Sequence, residues 1–508
     1  MLSVVQIAAR RRVLSINSVV KGLSTIKCAR NISVSHLDPS IRNFASALAE
    51  RQPCFALPSK SVKVLSEPTE FYQTLLGIIK RAKRRIFLSS LYIGASEKEL
   101  IDALDASLRS NPELHVYLTL DFNRSTRPGP SSPILALLPL LRDHRDRVHI
   151  SLFRSPKLSG VMDRVVPPRF NEGWGTWHAK IYGSDAEVMI SGANLNESYF
   201  TDRQDRYIHF TTQPNLAEYC FQFLRLVSGF SYQVTLPADS DIHDYRWPDP
   251  SVDSWKIQSK AEEALIRFQA ANLASTMLSS SWSVGDNPDH DVLVLPVIQA
   301  GQLNIREEEH TLSLLFDHLS RERQPGFNPT MDLTSGYFGL YKPYQDMVLK
   351  STVRCGIIAA SPKANGFYGS RGISGLIPEG YTYLEQRFMR AVKAASRESP
   401  VDNPEGSGVE LKEWEREGWT YHAKGIWLSP RPGAHPALTL FGSTNLNSRS
   451  AHLDTELSFV MMTSSDLLRR RLHEEVQGLR RWAVPWRGDE RRVRRRTKAI
   501  VGVVGGML

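Results

Sequence analysis

Two short stretches of the sequence place a histidine two residues before a lysine. The first is GTWHAKIYG, with His178 and Lys180, and the second is GWTYHAKGIW, with His422 and Lys424. In an extended chain, residues i and i+2 point to the same side, so each stretch presents an imidazole and an ammonium group together. A neutral imidazole can attack phosphorus or carry a proton, and ammonium groups bind phosphoryl oxygens. The two pairs therefore indicate phosphoryl-transfer chemistry.

Further polar side chains follow each pair in a repeated order. Asn194 lies in GANLN and Asn445 in GSTNLN, and an acid, Asp205 or Glu456, follows each asparagine after eleven residues. Asparagine amides can donate to phosphoryl oxygens, and the acids are candidates to orient the imidazoles. Two copies of this set can converge on one cleft, where one histidine forms a phosphohistidine and the other transfers protons. The sequence shows no clustered acid and histidine set, so we expect no metal or other cofactor.

The repetition extends well beyond these residues. LSSLYIG (88–94) aligns with LTSGYFG (333–339) without a gap, and 84 and 83 residues separate the final glycines from the histidines. Between histidine and asparagine the second copy is longer, and the excess coincides with SPRPGAHP, whose composition is typical of a surface loop. Each copy alternates strand-like apolar runs with amphipathic helical segments. The sequence predicts a duplicated α/β unit, with the His and Lys on one strand and the Asn at the end of the next.

Size and composition agree with two soluble domains. A chain of 508 residues is too long for one compact core, and a net charge of +10 favours anionic partners such as nucleic acid, phospholipid headgroups or phosphorylated metabolites. The four cysteines lie far apart, which argues against a zinc site and against a disulfide-dense secreted scaffold. No run approaches the roughly 18 apolar residues of a transmembrane helix.

The two ends of the chain differ from the rest. Residues 1–37 contain six Arg or Lys, several serines and no acid, which is the composition of a mitochondrial transit peptide. We expect a linker over 38–59, the two domains over 60–245 and 246–480, and a basic tail over 481–508. In that tail DERRVRRRTK precedes the apolar AIVGVVGGML, which favours peripheral contact with an anionic membrane. A solvated charged tail is the alternative.

At this point the residues resemble a known superfamily. HAKIYGSD matches the H-x-K-x4-D signature of the phospholipase D superfamily, and GAN and GSTN match its downstream asparagine segment, so the resemblance covers most of residues 60–460. It implies two duplicated α/β domains with the active site at their pseudo-two-fold interface, with His178 as nucleophile and His422 as acid and base. Asp185 completes the first signature as a candidate catalytic residue. The second copy has Ser429 at that place, which favours a structural role for Asp185.

Within the superfamily, the chain resembles mitochondrial phosphatidyltransferases in AKRRIFLSSLYIG, PPRFNE, SGANLNESYFTDRQDRY, ASPKANGFYGSRGISGLIP and GWTYHAKGIW. That resemblance implies transfer of a phosphatidyl group from CDP-diacylglycerol to glycerol-3-phosphate with release of CMP. It also implies a place in phosphatidylglycerol and cardiolipin synthesis at the matrix face of the inner mitochondrial membrane. A superfamily nuclease or DNA-end phosphodiesterase is the alternative. The basic clusters sit mainly at the termini rather than along one face, so no nucleic-acid partner is expected.

Two further loops carry candidate ligands for a substrate phosphate. SPKANGFYGSRG contains Lys363 and Arg371, and DFNRSTRPG, at a comparable place in the first copy, contains Arg124 and Arg127. A glycine-rich backbone can approach a phosphate closely, and arginine can bind it with two hydrogen bonds. A plain surface loop is the alternative at both places.

Overall fold

The computed structural model describes residues 34–129, 132–168, 170–237, 242–279, 290–321, 328–399 and 407–507. Over these residues the chain forms two large mixed sheets, one in each predicted half, and a small two-stranded sheet. The predicted transit peptide lies outside the described residues except for 34–37. None of the described helices is both long and apolar enough to cross a membrane.

The strands and helices between residues 39 and 246 belong to the first half or to the segment that precedes it. The strands are β1 (Phe55–Leu57), β2 (Val62–Leu65), β3 (Arg85–Ser89), β4 (His115–Asp121), β5 (Val148–Phe153), β6 (Ile181–Ser184), β7 (Glu187–Ser191), β8 (Arg203–Gln204), β9 (Tyr207–Phe210), β10 (Tyr232–Thr235) and β11 (Asp244–Arg246). The helices are α1 (Pro39–Ala49), α2 (Pro68–Arg81), α3 (Lys98–Ser110), α4 (Phe122–Ser125), α5 (Pro133–Asp143), α6 (Gly160–Val165), α7 (Glu197–Thr201) and α8 (Pro214–Ser228).

The second half repeats this alternation. Its strands are β12 (Val292–Ala300), β13 (Ile305–Arg306), β14 (Thr330–Ser335), β15 (Arg354–Ala360), β16 (Val409–Trp414), β17 (Thr420–Tyr421), β18 (Gly425–Ser429), β19 (Leu438–Gly442), β20 (Glu456–Thr463) and β21 (Ala483–Pro485). The helices are α9 (Gln258–Ser279), α10 (Glu307–Arg321), α11 (Lys342–Lys350), α12 (Ile377–Ala394), α13 (Ser448–His452), α14 (Asp466–Arg480) and α15 (Arg495–Val504).

Eight strands of each sheet run in the same spatial order. The first sheet reads β10-β5-β4-β3-β6-β7-β9-β2 and the second reads β21-β16-β15-β14-β18-β19-β20-β12. In each sheet the three strands at the start of the copy are parallel, β3, β4 and β5 or β14, β15 and β16, and their outer neighbours pair antiparallel. The shared order confirms the duplicated α/β fold that the sequence predicts.

The buried strand β12 contains Pro296, and the pairing of the strand explains why a proline is tolerated there. All nine residues of β12 are buried, because the sheet and its helices cover both faces. β12 pairs along its whole length with β20, but on its other edge β1 covers only Val292–Val294 and β13 only Gln299–Ala300. Pro296 therefore lies in the gap between these two neighbours, where a missing N–H costs no ladder hydrogen bond.

The segment expected to be a linker is part of the second half. Ile41, Phe44 and Leu48 recur at helical spacing in α1, and this face packs in the second core against α10. β1 then pairs antiparallel with β12. Residues 481–508, expected to form a tail, supply β21, which pairs with β16, and α15, which packs on α12. Both segments are folded because each buries apolar side chains against elements that lie far away in the sequence.

A shared core joins the two halves. The rings of Phe210 and Phe441, one from each half, lie 6.2 Å apart within it. Arg206 of the first half is buried, donates from Nε to Glu475 at 2.8 Å, and lies 3.7 Å above the ring of Trp427. Removing one partner of such a buried ion pair costs about 3–5 kcal/mol, because the other charge is left unpaired. The interface therefore holds the cleft between the sheets in one geometry.

Candidate active site

The two His-x-Lys segments lie in extended chain just before their strands, not within them. β6 begins only after Lys180, and His422 to Lys424 fall between β17 and β18. The backbone amide of the histidine in each segment bonds to the other half. The amide of His178 donates to Thr455 at 2.9 Å, and that of His422 donates to Gln204 at 2.8 Å. The sequence-based placement on a strand was wrong by one to three residues, since it took no account of bonds between the halves.

The two imidazoles are held by acids of the opposite half. His178 Nδ1 lies 2.8 and 2.9 Å from the two carboxylate oxygens of Glu456, and His422 Nδ1 lies 2.6 Å from Asp205 Oδ2. All four side chains are buried. A carboxylate at Nδ1 fixes the ring orientation and the tautomer, so that Nε2 is left to react. The structure thus brings both predicted acids to the histidines, in a crossed arrangement.

Both lysines are buried beside the histidines. Lys180 Nζ donates to the His178 carbonyl at 2.6 Å, and Lys424 Nζ donates to the His422 carbonyl at 2.7 Å. Burial lowers the pKa of Lys180 to about 7 and that of Lys424 to about 8, in spite of nearby carboxylates that act in the opposite direction. A bound phosphate would stabilise their charged forms, because an anion close to an ammonium group raises its pKa.

The histidines and acids have shifted pKa values as well. Burial lowers the pKa of His178, partly offset by Glu456, and lowers that of His422 much further, with Lys424 adding to the effect. Burial raises the pKa of Asp205 to about 6. For Glu456, burial acts to raise the pKa, but the charge that His178 carries when protonated, its hydrogen bond to the carboxylate and the charge of Lys180 together lower the pKa well below the usual range. Both rings are therefore neutral near pH 7, and Glu456 is ionised.

The two asparagines have different surroundings. Asn194 Nδ2 donates to the hydroxyl of Tyr199 at 3.0 Å, and its Oδ1 lies 3.4 Å from the amide of Leu91. Asn445 Oδ1 is buried, and the described residues offer it no hydrogen-bond partner. A buried acceptor without a partner is costly and is found mostly where a ligand or water completes the site. The first asparagine therefore supports a neighbouring side chain, and the second has capacity left for a ligand.

Sequence reasoning missed several side chains that surround His422. The hydroxyl of Tyr199 lies 3.4 Å from His422 Nε2, and the ring of Tyr337 meets the imidazole edge-on with centroids 5.5 Å apart. Arg203 lies 4.5 Å above the Tyr199 ring and donates from Nε to Thr420 at 2.8 Å. The signal was present: Tyr337 belongs to the aligned LTSGYFG, and Tyr199 and Arg203 fall between the first asparagine and its acid.

Asp185 lies away from the histidines. It follows β6 at the end opposite to Lys180, and its carboxylate accepts from the backbone amides of residues 83, 84 and 85 at 2.7, 3.1 and 3.1 Å. These three bonds hold the turn that leads into β3. The backbone of Asp185 has a positive φ of 31°, a conformation that Asp tolerates better than most residues. The structure therefore places Asp185 outside the cleft and gives it a structural contact.

The four basic candidates for substrate phosphate are not free donors in the cleft. Arg127 forms an ion pair with Glu172, and Arg124 lies 3.7 Å from the same carboxylate. Lys363 is exposed and pairs with Glu415 at 3.3 Å, and Arg371 is exposed on the loop after β15. The structure thus brings Arg124 and Arg127 to one carboxylate beside the cleft, and it leaves Lys363 and Arg371 on an outer loop.

One group of side chains could in principle hold a metal ion. Among the described residues, His178, Asp454 and Glu456 place ligand atoms within 4.8 Å of one another. Their oxygen atoms already accept hydrogen bonds: Thr176 donates to Asp454 from its amide and its hydroxyl, both at 2.9 Å, and Ser450 donates to Glu456 at 2.7 Å. These donors, with the guanidinium of Arg449 3.0 Å from Asp454, hold the carboxylates in place without a cation.

Comparison with known proteins places the chain in a family. No protein-family model matches it. The CDP-diacylglycerol–glycerol-3-phosphate 3-phosphatidyltransferase of Schizosaccharomyces pombe is 35% identical over 473 residues, which cover 85% of this chain and 91% of that enzyme. The chain belongs to this family. The mitochondrial enzyme of that name from Gallus gallus is 34% identical over 454 residues, covering 84% of this chain and 79% of the enzyme.

A solved structure supports the fold of this family member. The crystal structure of phosphatidylserine synthase from Haemophilus influenzae superposes with a TM-score of 0.63 and 18% identity, covering 92% of this chain and 98% of that chain. At this identity the likeness concerns the fold alone. The two duplicated α/β domains expected from the sequence are confirmed by the repeated strand order, and the phosphatidylserine synthase shares this fold.

Proposed function

We propose that this chain transfers the phosphatidyl group of CDP-diacylglycerol to glycerol-3-phosphate through a phosphohistidine, giving phosphatidylglycerophosphate and CMP. The crossed pairs carry the proposal: two buried imidazoles, each oriented by an acid of the other half, share one cleft with two lysines. Transfer in two steps at one phosphorus atom needs a nucleophile and a proton carrier in different environments. Membership in the phosphatidyltransferase family supports the choice of substrates.

In the first step the Nε2 lone pair of His178 attacks the phosphatidyl phosphorus, and the bond from phosphorus to the CMP oxygen breaks. The positive charge that develops on the imidazole is stabilised by the ionised Glu456 at Nδ1. Lys180 and Lys424 would neutralise the phosphoryl oxygens. CMP leaves with a proton that passes through His422 from Lys424, whose Nζ lies 3.4 Å from His422 Nε2 and whose pKa of about 8 keeps it protonated near neutrality.

In the second step a hydroxyl of glycerol-3-phosphate gives its proton to His422 and attacks the same phosphorus, and the bond to His178 breaks. Asp205 and Lys424, with pKa values of about 6 and about 8, lie next to the ring and can exchange protons with it near neutrality. The resting protonation of both histidines is then restored. Asn445, whose buried Oδ1 has no partner among the described residues, can accept a hydrogen bond from a hydroxyl of glycerol-3-phosphate.

The products formed by the purified chain test this function. CDP-diacylglycerol is offered with glycerol-3-phosphate, serine or water, and CMP and the lipid product are measured. We expect CMP release that depends on glycerol-3-phosphate, with phosphatidylglycerophosphate as product. CMP release with serine but not with glycerol-3-phosphate would identify serine as the acceptor instead. Cleavage of oligonucleotides without any CMP release would replace the proposal by the nuclease alternative.

A trapping experiment tests the phosphohistidine and its position. CDP-diacylglycerol labelled at the phosphatidyl phosphorus is added without acceptor, and acid-labile label on the protein is measured. Because the CMP phosphate is a good leaving group, His422→Ala should still accumulate label, whereas His178→Ala should carry none. Label on His178→Ala and none on His422→Ala would exchange the two roles.

We also propose a location at the matrix face of the inner mitochondrial membrane. The acid-free, Arg-rich residues 1–37 and the mitochondrial names of the relatives from Gallus gallus and Homo sapiens support import. The basic C-terminal segment supports peripheral contact with anionic lipid. Protease treatment of intact and swollen mitochondria tests this: the full chain should become accessible only after the inner membrane is opened. If the chain were found in the cytosol, and if deletion of residues 1–37 did not change its location, the proposed import into mitochondria would be contradicted.

A further inference from the structure

Exposed apolar side chains surround the mouth of the cleft. On the loop after β15, Phe367 is partly exposed and its ring lies 6.0 Å from that of Tyr337, which in turn contacts His422. Two neighbours on the same loop project further, Tyr368 at 61% exposure and Ile373 at 57%. Burying such side chains would be favourable, yet within the described part of the chain they stay in water. The loop therefore carries an apolar edge that is directly connected to the candidate active site.

The first half contributes a second apolar edge. Met162, Val165 and Phe170 are all exposed, in and after α6. The same loop carries Glu172, which pairs with Arg127. Four residues after Glu172, the hydroxyl of Thr176 donates to Asp454 at 2.9 Å and accepts from Arg449 at 3.3 Å, so this loop leads directly into the cleft. The loop from 160 to 174 thus borders the same cleft from the other side.

The C-terminal helix joins this surface and adds charge to it. α15 packs on α12, and the turn that follows it, Gly505–Met507, contacts α13 next to the site. The end of the helix exposes Val503 at 86%. Its beginning borders an open groove of about 780 Å³ whose walls carry six cations and the carboxylate of Asp489. Two of the six, Arg491 and Arg494, pair with Glu413 and Glu379. The described residues provide no carboxylate within ion-pair distance of the other four: Arg390, Arg492, Arg495 and Lys498.

The exposed apolar side chains on the two loops and on α15, together with the basic groove, are called the rim below. We infer that the rim is a docking surface for a bilayer that contains anionic phospholipid, and that the lipid substrate enters the cleft from that bilayer. Apolar side chains on both sides of the mouth would insert among the acyl chains, and the basic groove would face the phosphate groups of the lipid surface. The charge complementarity and the direct connection to a phosphoryl-transfer site favour a bilayer over a protein partner. The entry of substrate rests on the proposed function, but docking does not require it.

Vesicle binding by the full chain tests the surface. We compare the double variant Ile373→Ser/Val503→Ser with the control Ile266→Ser/Leu467→Ser, whose side chains are also exposed but lie on α9 and α14. Leu467 follows the end of β20 opposite to Glu456, so it is remote from the cleft. The rim variant should bind phosphatidylcholine–phosphatidylglycerol vesicles about tenfold more weakly than wild type, and the control about as well. Equal binding by both variants would overturn the inference.

The charged part of the surface is tested separately. Arg492→Glu/Lys498→Glu should lose binding to vesicles that contain phosphatidylglycerol, with little change for pure phosphatidylcholine, and the binding of wild type should weaken with salt. The same loss on both vesicle types would count against headgroup recognition by the groove.

Activity on two forms of the substrate links docking to entry. With short-chain CDP-diacylglycerol dissolved as monomers, the rim variant should release CMP within about twofold of wild type. With long-chain substrate in vesicles its rate should fall in proportion to binding. Equal rates on vesicles would overturn the entry route. If wild type releases no CMP from either substrate, the proposed function fails, whereas the binding measurements still decide whether the rim docks.

Discussion

His178 and His422 occupy matching places in the two repeats, yet their neighbours differ. The position five residues after the asparagine is Tyr199 in the first copy and Ser450 in the second. Tyr199 covers Nε2 of His422 at 3.4 Å, whereas Ser450 donates to the carboxylate of Glu456, on the Nδ1 side of His178. One duplicated frame therefore places an aromatic hydroxyl over one reactive nitrogen, and the described residues place no such group over the other.

The charges around the two rings differ in the same sense. The carboxylate beside His178, Glu456, stays ionised. The carboxylate beside His422, Asp205, has a pKa of about 6, and Lys424 Nζ lies 2.7 Å from Nδ1 of the same ring. A fixed negative charge suits a nucleophile that becomes positive, and a set of groups that titrates near neutrality suits a proton carrier. The difference between the copies thus matches the two different tasks that the proposed mechanism requires.

Loss of either imidazole is expected to have the largest effect. His178→Ala and His422→Ala should each lower the rate of CMP-coupled transfer by about 10⁴-fold or more, because neither half can supply both tasks. Folding should remain near normal, since each ring contacts the cleft rather than the shared core. Circular dichroism and thermal unfolding provide the control. A variant that keeps near-wild-type turnover would show that the two half-sites do not act on one phosphorus atom.

Replacing each acid by its amide tests the difference between the two histidines more closely. Glu456→Gln keeps a hydrogen bond to His178 but removes the fixed charge, so the formation of the phosphoenzyme should slow by about 10²–10⁴-fold. Asp205→Asn should lower turnover by about 10²-fold and affect phosphoenzyme formation less, because it acts on the proton carrier. Rapid-quench measurement of labelled protein separates the two steps. The opposite pattern would assign the nucleophile to His422.

Much of this site could be predicted from the sequence, because the duplication made each residue recognisable twice. Histidines, lysines, asparagines and acids all stand at matched spacings. The crossed pairing could not be predicted, since it depends on how the sheets face each other. Tyr199 was missed for the same reason: its target, His422, lies in the other half.

The errors in the fold have a similar origin. Ile41, Phe44 and Leu48 have helical spacing, but their partners in α10 lie more than 250 residues further on. A long-range packing surface of this kind leaves no local signal, so the segment was predicted to be a linker. The alternation of strands and helices in two copies, by contrast, follows from local apolar runs and their repetition, and the structure confirms the duplicated α/β fold.

The buried lysines give the comparison a pH dependence. The lysine form that binds phosphate is protonated, and this form is lost as pH rises through about 7 for Lys180 and about 8 for Lys424. We therefore expect kcat/KM for CDP-diacylglycerol to fall above neutrality. Lys180→Met should lower kcat/KM by about 10²-fold and leave an alkaline limb that reports Lys424 alone. An unchanged limb in this variant would show that Lys180 does not titrate in that range.

Stability should respond to the same substitution in the opposite direction. Because the folded-state pKa of Lys180 lies below its unfolded value, the unfolded chain binds more protons between about pH 7 and 10.5, and this residue destabilises the fold most below pH 7. Lys180→Met should therefore keep or raise the melting temperature at pH 6.5, with an advantage over wild type that shrinks toward pH 10. A melting temperature that falls at pH 6.5 would mean that the ammonium group stabilises its acidic neighbours more than burial costs.

The smallest effect on catalysis is expected at the one signature position that the copies do not share. Asp185 holds three amides at the start of β3, and Ser429 takes its place in the second copy. Asp185→Ala should lower the free energy of unfolding by about 1–3 kcal/mol, because three backbone amides lose their acceptor and alanine tolerates a φ of 31° poorly. At a temperature where the variant is fully folded, kcat should stay within about twofold of wild type. Asp185→Asn, which keeps one acceptor oxygen and tolerates the backbone better, should lose less stability, and a large fall in kcat for both folded variants would instead make this aspartate part of the catalytic set.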